Sequence, residues 1–225
     1  MEVHQNIIIV SGGSSGNPAF LGEQIRKAGK SYLICCDRGA RHLKRLAILP
    51  DAVIGDMDSI DQRDLRYYEN QGVKIIRYAS EKDYTDTELA LDYALQWKPK
   101  KISIFCALGG RLDHTLANIY LLMKGFDKGI DTVLMDEYCE AFILNRQCSF
   151  VREAGKTVSL LALSPKVTGI NLSGFYYPLE NGNLKMGETL GISNWINKGR
   201  TTITIDRGKL LVIKYHRKDF FPEAR

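Results

Sequence analysis

The chain has 225 residues, 44% hydrophobic and 25% charged, and its 31 basic and 26 acidic residues leave a formal net charge of +5. That composition belongs to an ordinary globular protein able to bury a full core, as one large domain or two modest ones, and no apolar run approaches membrane-spanning length. The basic residues are scattered, with a mild cluster only at 214–218, so no nucleic-acid partner is expected, whereas a modest positive field suits a small polyanion such as a nucleotide.

The N-terminus carries acid and polar residues before a short apolar strand and does not read as a secretory signal. The first run, Asn6-Ile7-Ile8-Ile9-Val10, is continuously apolar and β-branched, as a strand covered on both faces must be. A glycine-rich turn, Ser11-Gly12-Gly13-Ser14-Ser15-Gly16, leads into a helix over about 18–28. Strand, turn and helix can cradle phosphate on backbone N–H groups, although the spacing fits no nucleotide-binding fingerprint and equally suits a flexible turn. A second strand, 32–36, ends at Asp37-Arg38-Gly39-Ala40, and a third, 52–54, ends at Gly55-Asp56-Met57-Asp58-Ser59-Ile60. In extended backbone the side chains of Asp56 and Asp58 point the same way, toward one ion, and Ser59 or Asp61 caps the helix that follows.

Further strands are expected over 73–76, 101–107 and 132–135, with helices over 62–71, 87–97 and 115–124. This alternation predicts a doubly wound, mostly parallel α/β domain over residues 1–145, with ligands bound beyond the carboxyl ends of its strands. Asp37, the Asp56/Asp58 pair, the 81–88 segment and the Gly109-Gly110-Arg111-Leu112-Asp113-His114 turn all fall at that end. Carboxylates crowded together repel one another unless a cation sits between them, and hard oxygen ligands suit Mg²⁺. Independent helix caps would leave the same acids at the same ends.

From about residue 146 the pattern changes to short strands, 149–153, 157–162, 168–172, 174–177, 201–205 and 210–215, split by turns such as 180–183 and 206–208. A smaller all-β sandwich or roll over 146–225 is expected. The five cysteines, at 35, 36, 106, 139 and 148, are odd in number and lack Cys-x-x-Cys spacing, so a reducing cytoplasm fits better than a disulfide framework or a zinc site.

Gly55-Asp-Met-Asp-Ser-Ile60, Asp83-Tyr-Thr-Asp86, Gly109-Gly-Arg-Leu-Asp113 and Ile192-Ser-Asn194 stand in the order and spacing of the thiamine pyrophosphokinases, and the chain resembles that family over nearly its whole length. The resemblance implies Mg²⁺-dependent transfer of pyrophosphate from ATP to the hydroxyl of thiamine, with release of AMP, in a homodimer whose sites are composite. It implies metal contacts at Asp56, Asp58 and Asp86, and ATP contacts at Gly12, Gly13, Asp37, Gly39, Thr85, Gly110 and Arg111. Thiamine contacts are implied at Lys82, Asp113, Ser193, Asn194 and Trp195. Arg38 stands where the family often has Gly, and Lys82 where some members carry Gln.

Attack of an alcohol on phosphorus needs charge neutralised and geometry held in line, which acids with a metal and a planar donor such as Arg111 supply. Either Asp83 or Asp86 takes the hydroxyl proton. Three other readings share these residues: a pyrophosphokinase for another alcohol, a metal-dependent phosphohydrolase, and a non-catalytic nucleotide sensor.

Overall fold

The computed structural model describes residues 5–79 and 83–217, and the chain divides between Glu137 and Tyr138 into two compact units. In the first, strands and helices alternate: β1 (Asn6–Val10), α1 (Pro18–Lys27), β2 (Tyr32–Cys36), α2 (Ala40–Arg45), β3 (Ala52–Gly55), α3 (Gln62–Asn70), β4 (Lys74–Arg77), α4 (Asp86–Leu95), β5 (Lys101–Phe105), α5 (Leu112–Asp127) and β6 (Asp131–Met135). The helices begin where the side chains allow it. Asn17, Asp61 and Thr85 each accept a backbone N–H of the first turn of α1, α3 and α4, filling donors that a helix start leaves free.

These strands pair in parallel in the order β6-β5-β1-β2-β3-β4. The continuous apolar runs are explained by burial on both faces. Ile8, Val10, Leu33, Cys35 and Val53 share one core with Leu21 of α1, Leu43 of α2 and Leu65 and Tyr68 of α3. Their neighbours Ile7, Ile9, Ile34 and Ile54 alternate to the opposite face, where α4 lies against β1, β2 and β3. Successive crossovers therefore leave β1 in one direction and β5 in the other, so a crevice opens between the ends of these two strands. The β1–β5 ladder runs on beyond the strands, with Ser11 N–H and Gly13 N–H donating to the carbonyls of Phe105 and Cys106, each at 2.9 Å.

The second unit is all β: β7 (Cys139–Leu144), β8 (Gln147–Val151), β9 (Thr157–Ala162), β10 (Lys166–Ser173), β11 (Leu179–Lys185), β12 (Asn194–Trp195), β13 (Arg200–Thr204) and β14 (Leu210–Tyr215). Antiparallel sheets of order β12-β9-β14-β7 and β11-β10-β13-β8 bury Phe150, Val158, Leu160, Ile170, Ile203 and Val212 in a shared core. Lys214 is buried beside two acids, with Nζ 2.9 Å from Glu140 Oε1 and 2.9 Å from Glu153 Oε1. Burial alone would lower its pKa, but the two carboxylates outweigh it and hold the ammonium above its usual range.

Three local expectations are revised. Residues 139–144 form β7 and pair with β14, so this segment folds with the second unit instead of closing the first. Residues 174–177 do not extend as a strand. Gly174 O accepts from both Asn197 and Lys198 N–H, which turns the chain, and only Phe175 makes an isolated bridge, to Ile196. Residues 180–183 are no turn but the middle of β11, where the register with β10 slips twice and Asn181 takes φ 46°. Turn-forming residues serve here to carry a bulged strand.

Tyr68 is fully buried and its hydroxyl donates to Ala40 O at 2.7 Å, tying α3 to α2. Tyr68→Phe leaves that carbonyl without its donor and should cost roughly 1–2 kcal/mol in a denaturant-unfolding midpoint. An unchanged midpoint would show that the bond adds nothing.

Candidate active site

The ends of β1, β2 and β5 approach so closely that side chains are excluded between them. A Cβ on Gly13 would lie 2.4 Å from Cys106 O, and one on Gly39 would lie 2.3 Å from Val10 O. Below this packing, at the crevice between β1 and β5, lies a cavity of about 570 Å³. Its walls include the Gly12–Gly13 turn, Asp37, Arg38, Arg41, His42, Thr85, Asp86, Gly110 and Arg111.

Asp37 follows β2 directly and is buried. One of its carboxylate oxygens accepts Arg38 N–H at 2.5 Å and the other accepts Ser59 N–H at 3.2 Å, which aims it at the loop after β3. There Asp37, Asp56 and Asp58 each place an oxygen within 4.8 Å of the others. Asp86, the first residue of α4, is also near: a Cβ on Gly55 would meet both Asp37 Cβ, at 3.0 Å, and Asp86 Oδ1, at 3.4 Å.

Asp56 and Asp58 converge, but not by the strand alternation expected of them. β3 stops at Gly55, Met57 takes φ 68°, and Asp56 Oδ1 accepts Asp58 N–H at 3.2 Å, so the pair meets across a tight turn. The buried Met57 side chain, 4% exposed in the core, anchors that turn. Ser59 Oγ donates to Asp58 Oδ1 at 2.8 Å, while the helix cap falls to Asp61.

Burial and the negative charges of Asp86 and Asp56 raise the Asp37 carboxyl from 3.8 to about 6, against the pull of its two backbone N–H bonds. Acids held this close are suited to a divalent cation, and an all-oxygen carboxylate set suits Mg²⁺. Arg38, Arg41 and Arg111 line the same cavity. Arg111 makes a two-point bond to Asp113, 3.1 Å from Nε to Oδ1 and 2.5 Å from Nη2 to Oδ2, which with His114 N–H lowers Asp113 to about 2. His42 is held below its usual pKa, first by burial and then by Arg45 and Arg41, so at neutral pH it is uncharged and its Nε2–H donates to Gly13 O at 2.8 Å.

Residues 26–134 match the family description "Thiamin pyrophosphokinase, catalytic domain", and residues 145–210 match "Thiamin pyrophosphokinase, vitamin B1 binding domain". The thiamine pyrophosphokinase of Bacillus subtilis (strain 168) is 36% identical over 180 residues, covering 79% of this chain and 84% of that protein. The chain belongs to the thiamine pyrophosphokinase family. A crystal structure of the B. subtilis thiamine pyrophosphokinase superposes with TM-score 0.82 at 32% identity, over 93% of this chain and 98% of that one. The thiamin pyrophosphokinase of Geobacillus thermodenitrificans gives 0.80 at 28% identity, over 95% and 99%. The break between Glu137 and Tyr138 falls in the gap between the two matched segments of the pyrophosphokinase family.

Within this pyrophosphokinase fold the structure gathers Gly12, Gly13, Asp37, Gly39, Thr85, Asp86, Gly110 and Arg111 at one end of the parallel sheet, with Asp56 and Asp58 meeting Asp37 there. Thr85 serves also as the cap of α4, and Asp83 is exposed just before it. Lys82 lies outside the described residues. Ser193, Asn194 and Trp195 belong to the second unit. Ser193 takes φ 59° and its N–H donates to Ser159 Oγ. The Asn194 amide is buried and tied to backbone: Oδ1 accepts Tyr177 N–H and Trp195 N–H at 3.1 and 2.9 Å, and Nδ2 donates to Tyr177 O at 2.8 Å. Asn194 thereby fixes an aromatic group in which Trp195 stacks on Tyr176, with ring centres 4.1 Å apart, and meets Tyr177 edge-on at 5.4 Å.

Arg41 and His42 also line the cavity from a helix that no motif marked, and Ser11, Ser59 and Thr87 line it from within the turn, the loop and the 81–88 segment expected at that end. Arg41 was findable, four residues after Asp37 at the start of a helix, where i and i+4 share a face. His42 had no signal, and Ser11, Ser59 and Thr87 had none beyond the segments that carry them, because common residue types mark nothing until the fold places them.

Asp37 gives a pH test. A carboxyl at about 6 when folded and 3.8 when unfolded binds its proton more tightly in the folded chain. Its contribution favours folding below about pH 4 and is lost as pH rises through 6, on the order of 2–3 kcal/mol in all. A carbon-13 carboxyl titration in EDTA should place Asp37 near 6, and Mg²⁺ should bring it below 4. Asp86→Asn should lower the EDTA value by roughly one unit. A value near 3.8 that Mg²⁺ leaves unmoved would mean that the acids do not share a site.

Proposed function

We propose that this chain transfers the pyrophosphoryl group of ATP to the hydroxyl of thiamine, giving thiamine diphosphate and AMP, with Mg²⁺ required. The observation that supports this most is the convergence of Asp37, Asp56 and Asp58 at a cavity that Arg38, Arg41 and Arg111 also line. Asp56, Asp58, Asp37 and Asp86 would hold Mg²⁺, which when bound supplies charge neutralisation for the phosphate oxygens.

The residues do the rest. The Gly12–Gly13 turn, Gly110 and Thr85 line the cavity and would receive the phosphates, with Gly39 packed behind them against Val10 O. Arg111, oriented by Asp113, donates to a phosphate oxygen and stabilises charge developing there. The thiamine hydroxyl oxygen forms the new bond to the β-phosphorus as the bond from that phosphorus to the α–β bridging oxygen breaks. The bridging oxygen leaves with AMP, and the hydroxyl proton passes to Asp83 or Asp86.

For thiamine the proposed contacts are Lys82, Asp113, Ser193 and Asn194, with Trp195 offering a face to a cationic ring. The Trp195 ring is already packed between Tyr176 and Tyr177, which supports a rigid platform. The homodimer belongs to the same proposal, the 193–195 segment of one chain completing the site of its partner. So does a cytoplasmic setting, in keeping with cysteines that are all free. Among the described residues no helix is long and apolar enough to cross a membrane.

AMP formation measured with ATP, Mg²⁺ and thiamine tests the reading directly. AMP should appear only when all three are present. AMP independent of thiamine would identify a hydrolase, and AMP seen only with a different alcohol would identify another pyrophosphokinase. Asp58→Asn should fold normally yet lower turnover by about two orders of magnitude or more. Near-normal turnover at saturating substrates would reduce Asp58 to a loop residue. An Asp58→Asn protein mixed with a Trp195→Ala protein should regain activity once subunits exchange. Activity that stays at background after proven exchange would place the whole site in one chain.

A further inference from the structure

One buried polar contact in the cavity is not used by the chemistry above. Ser11, just past β1, and Thr87, the second residue of α4, place their hydroxyl oxygens 2.5 Å apart. Both residues are only 6% exposed and both line the cavity. They are 76 positions apart in the chain, so only the fold makes the pair.

A hydroxyl carries one proton and can accept two. In a bond between two hydroxyls one group spends its proton, and the accepting group keeps its own. Whichever way this bond runs, the pair holds one O–H that the bond does not consume. A threonine inside a helix usually spends its proton on the carbonyl four residues back. For Thr87 that residue is Asp83, which precedes the helix, and no such bond forms. Among the described residues each of these hydroxyls has the other as its hydrogen-bond partner and no second one. Each hydroxyl is satisfied by the other, and the pair as a unit still has one O–H able to donate.

The position of the pair suits an anion as the acceptor of that O–H. Ser11 adjoins the Gly12–Gly13 turn, and Thr87 sits in the first turn of a ten-residue helix, at its positive end. The adjacent carboxylate, Asp86, is directed toward Gly55 and Asp37. We propose that the Ser11–Thr87 pair donates its spare proton to a phosphate oxygen of the bound nucleotide. The proposal rests on the nucleotide-binding reading of this cavity. Either oxygen can be the outward donor, because reversing the internal bond exchanges the roles. The same bond holds the start of α4, and with it Asp86, against the turn that follows β1.

The test compares Thr87→Val, which keeps the shape and removes the hydroxyl, with Thr87→Ser, which keeps the hydroxyl. Ser11→Ala probes the other half of the pair. Binding is measured by calorimetry with Mg²⁺ and α,β-methylene ATP, whose α–β linkage cannot be cleaved, and separately with adenosine. The double variant Ser11→Ala/Thr87→Val should weaken the analogue by roughly ten- to a hundredfold, the usual range for a hydrogen bond to a charged group, whereas each single variant, whose remaining hydroxyl has its proton free, should weaken it by less. Adenosine affinity should stay within twofold, and Thr87→Ser should restore the analogue to within about threefold of wild type. Weakening of analogue and adenosine alike, or equal loss in Thr87→Ser, would make the pair a structural tether and overturn the proposal. So would analogue affinity unchanged in the double variant. Wild type that binds neither the analogue nor adenosine would overturn the nucleotide reading and the proposal with it.

Discussion

The site depends on how closely three chain segments approach at the carboxyl end of the parallel sheet. β1 lies between β2 and β5, and the turn after it is bonded to the end of β5 by Gly13 N–H on Cys106 O. The turn after β2 presses back on β1 so tightly that a methyl group at residue 39 would overlap Val10 O. Glycine there is a steric requirement, and it brings Asp37 to a buried position beside the turn. Were these backbones held apart by side chains, the acids after β2 and β3 would each point into separate solvent.

That packing produces an electrostatic cost with a chemical use. A buried carboxyl near two others is driven toward its neutral form, as the raised Asp37 shows. Two backbone N–H groups keep its oxygens in place regardless of its charge. The arrangement is fixed before any cation arrives, so little has to reorganise when one does. Elsewhere in the same cavity Arg111 is paired with Asp113, and the His42 ring donates to the Gly13 carbonyl.

The second unit achieves its order by different means. Its core is shared by two antiparallel sheets, and its polar side chains are spent on backbone. Asn194 pins both Tyr177 and Trp195, and Asn171 Oδ1 accepts Asn181 N–H at the bulge of β11. Lys214 sits between Glu140 and Glu153 with its charge compensated. A buried charge left unpaired by removal of either partner would be strongly destabilising.

The sequence alone determined the fold class and most element boundaries. β1, β2, β9 and β14 run over the residues their apolar patterns marked, because a strand buried on both faces admits only apolar residues and a half-buried one alternates. It also carried the four ordered motifs by which the chain resembles its family, since residue order along the chain needs no fold to be read. Only the tertiary structure decided how Asp56 and Asp58 meet, because the left-handed Met57 between them is stabilised by a core that no local pattern reports. It decided that 139–144 joins β14 and that the glycine and asparagines of 180–183 carry a bulged strand, since partner strands far along the chain settle both. And it brought Ser11 to Thr87, two ordinary hydroxyls whose meaning lies in a contact across 76 positions of chain.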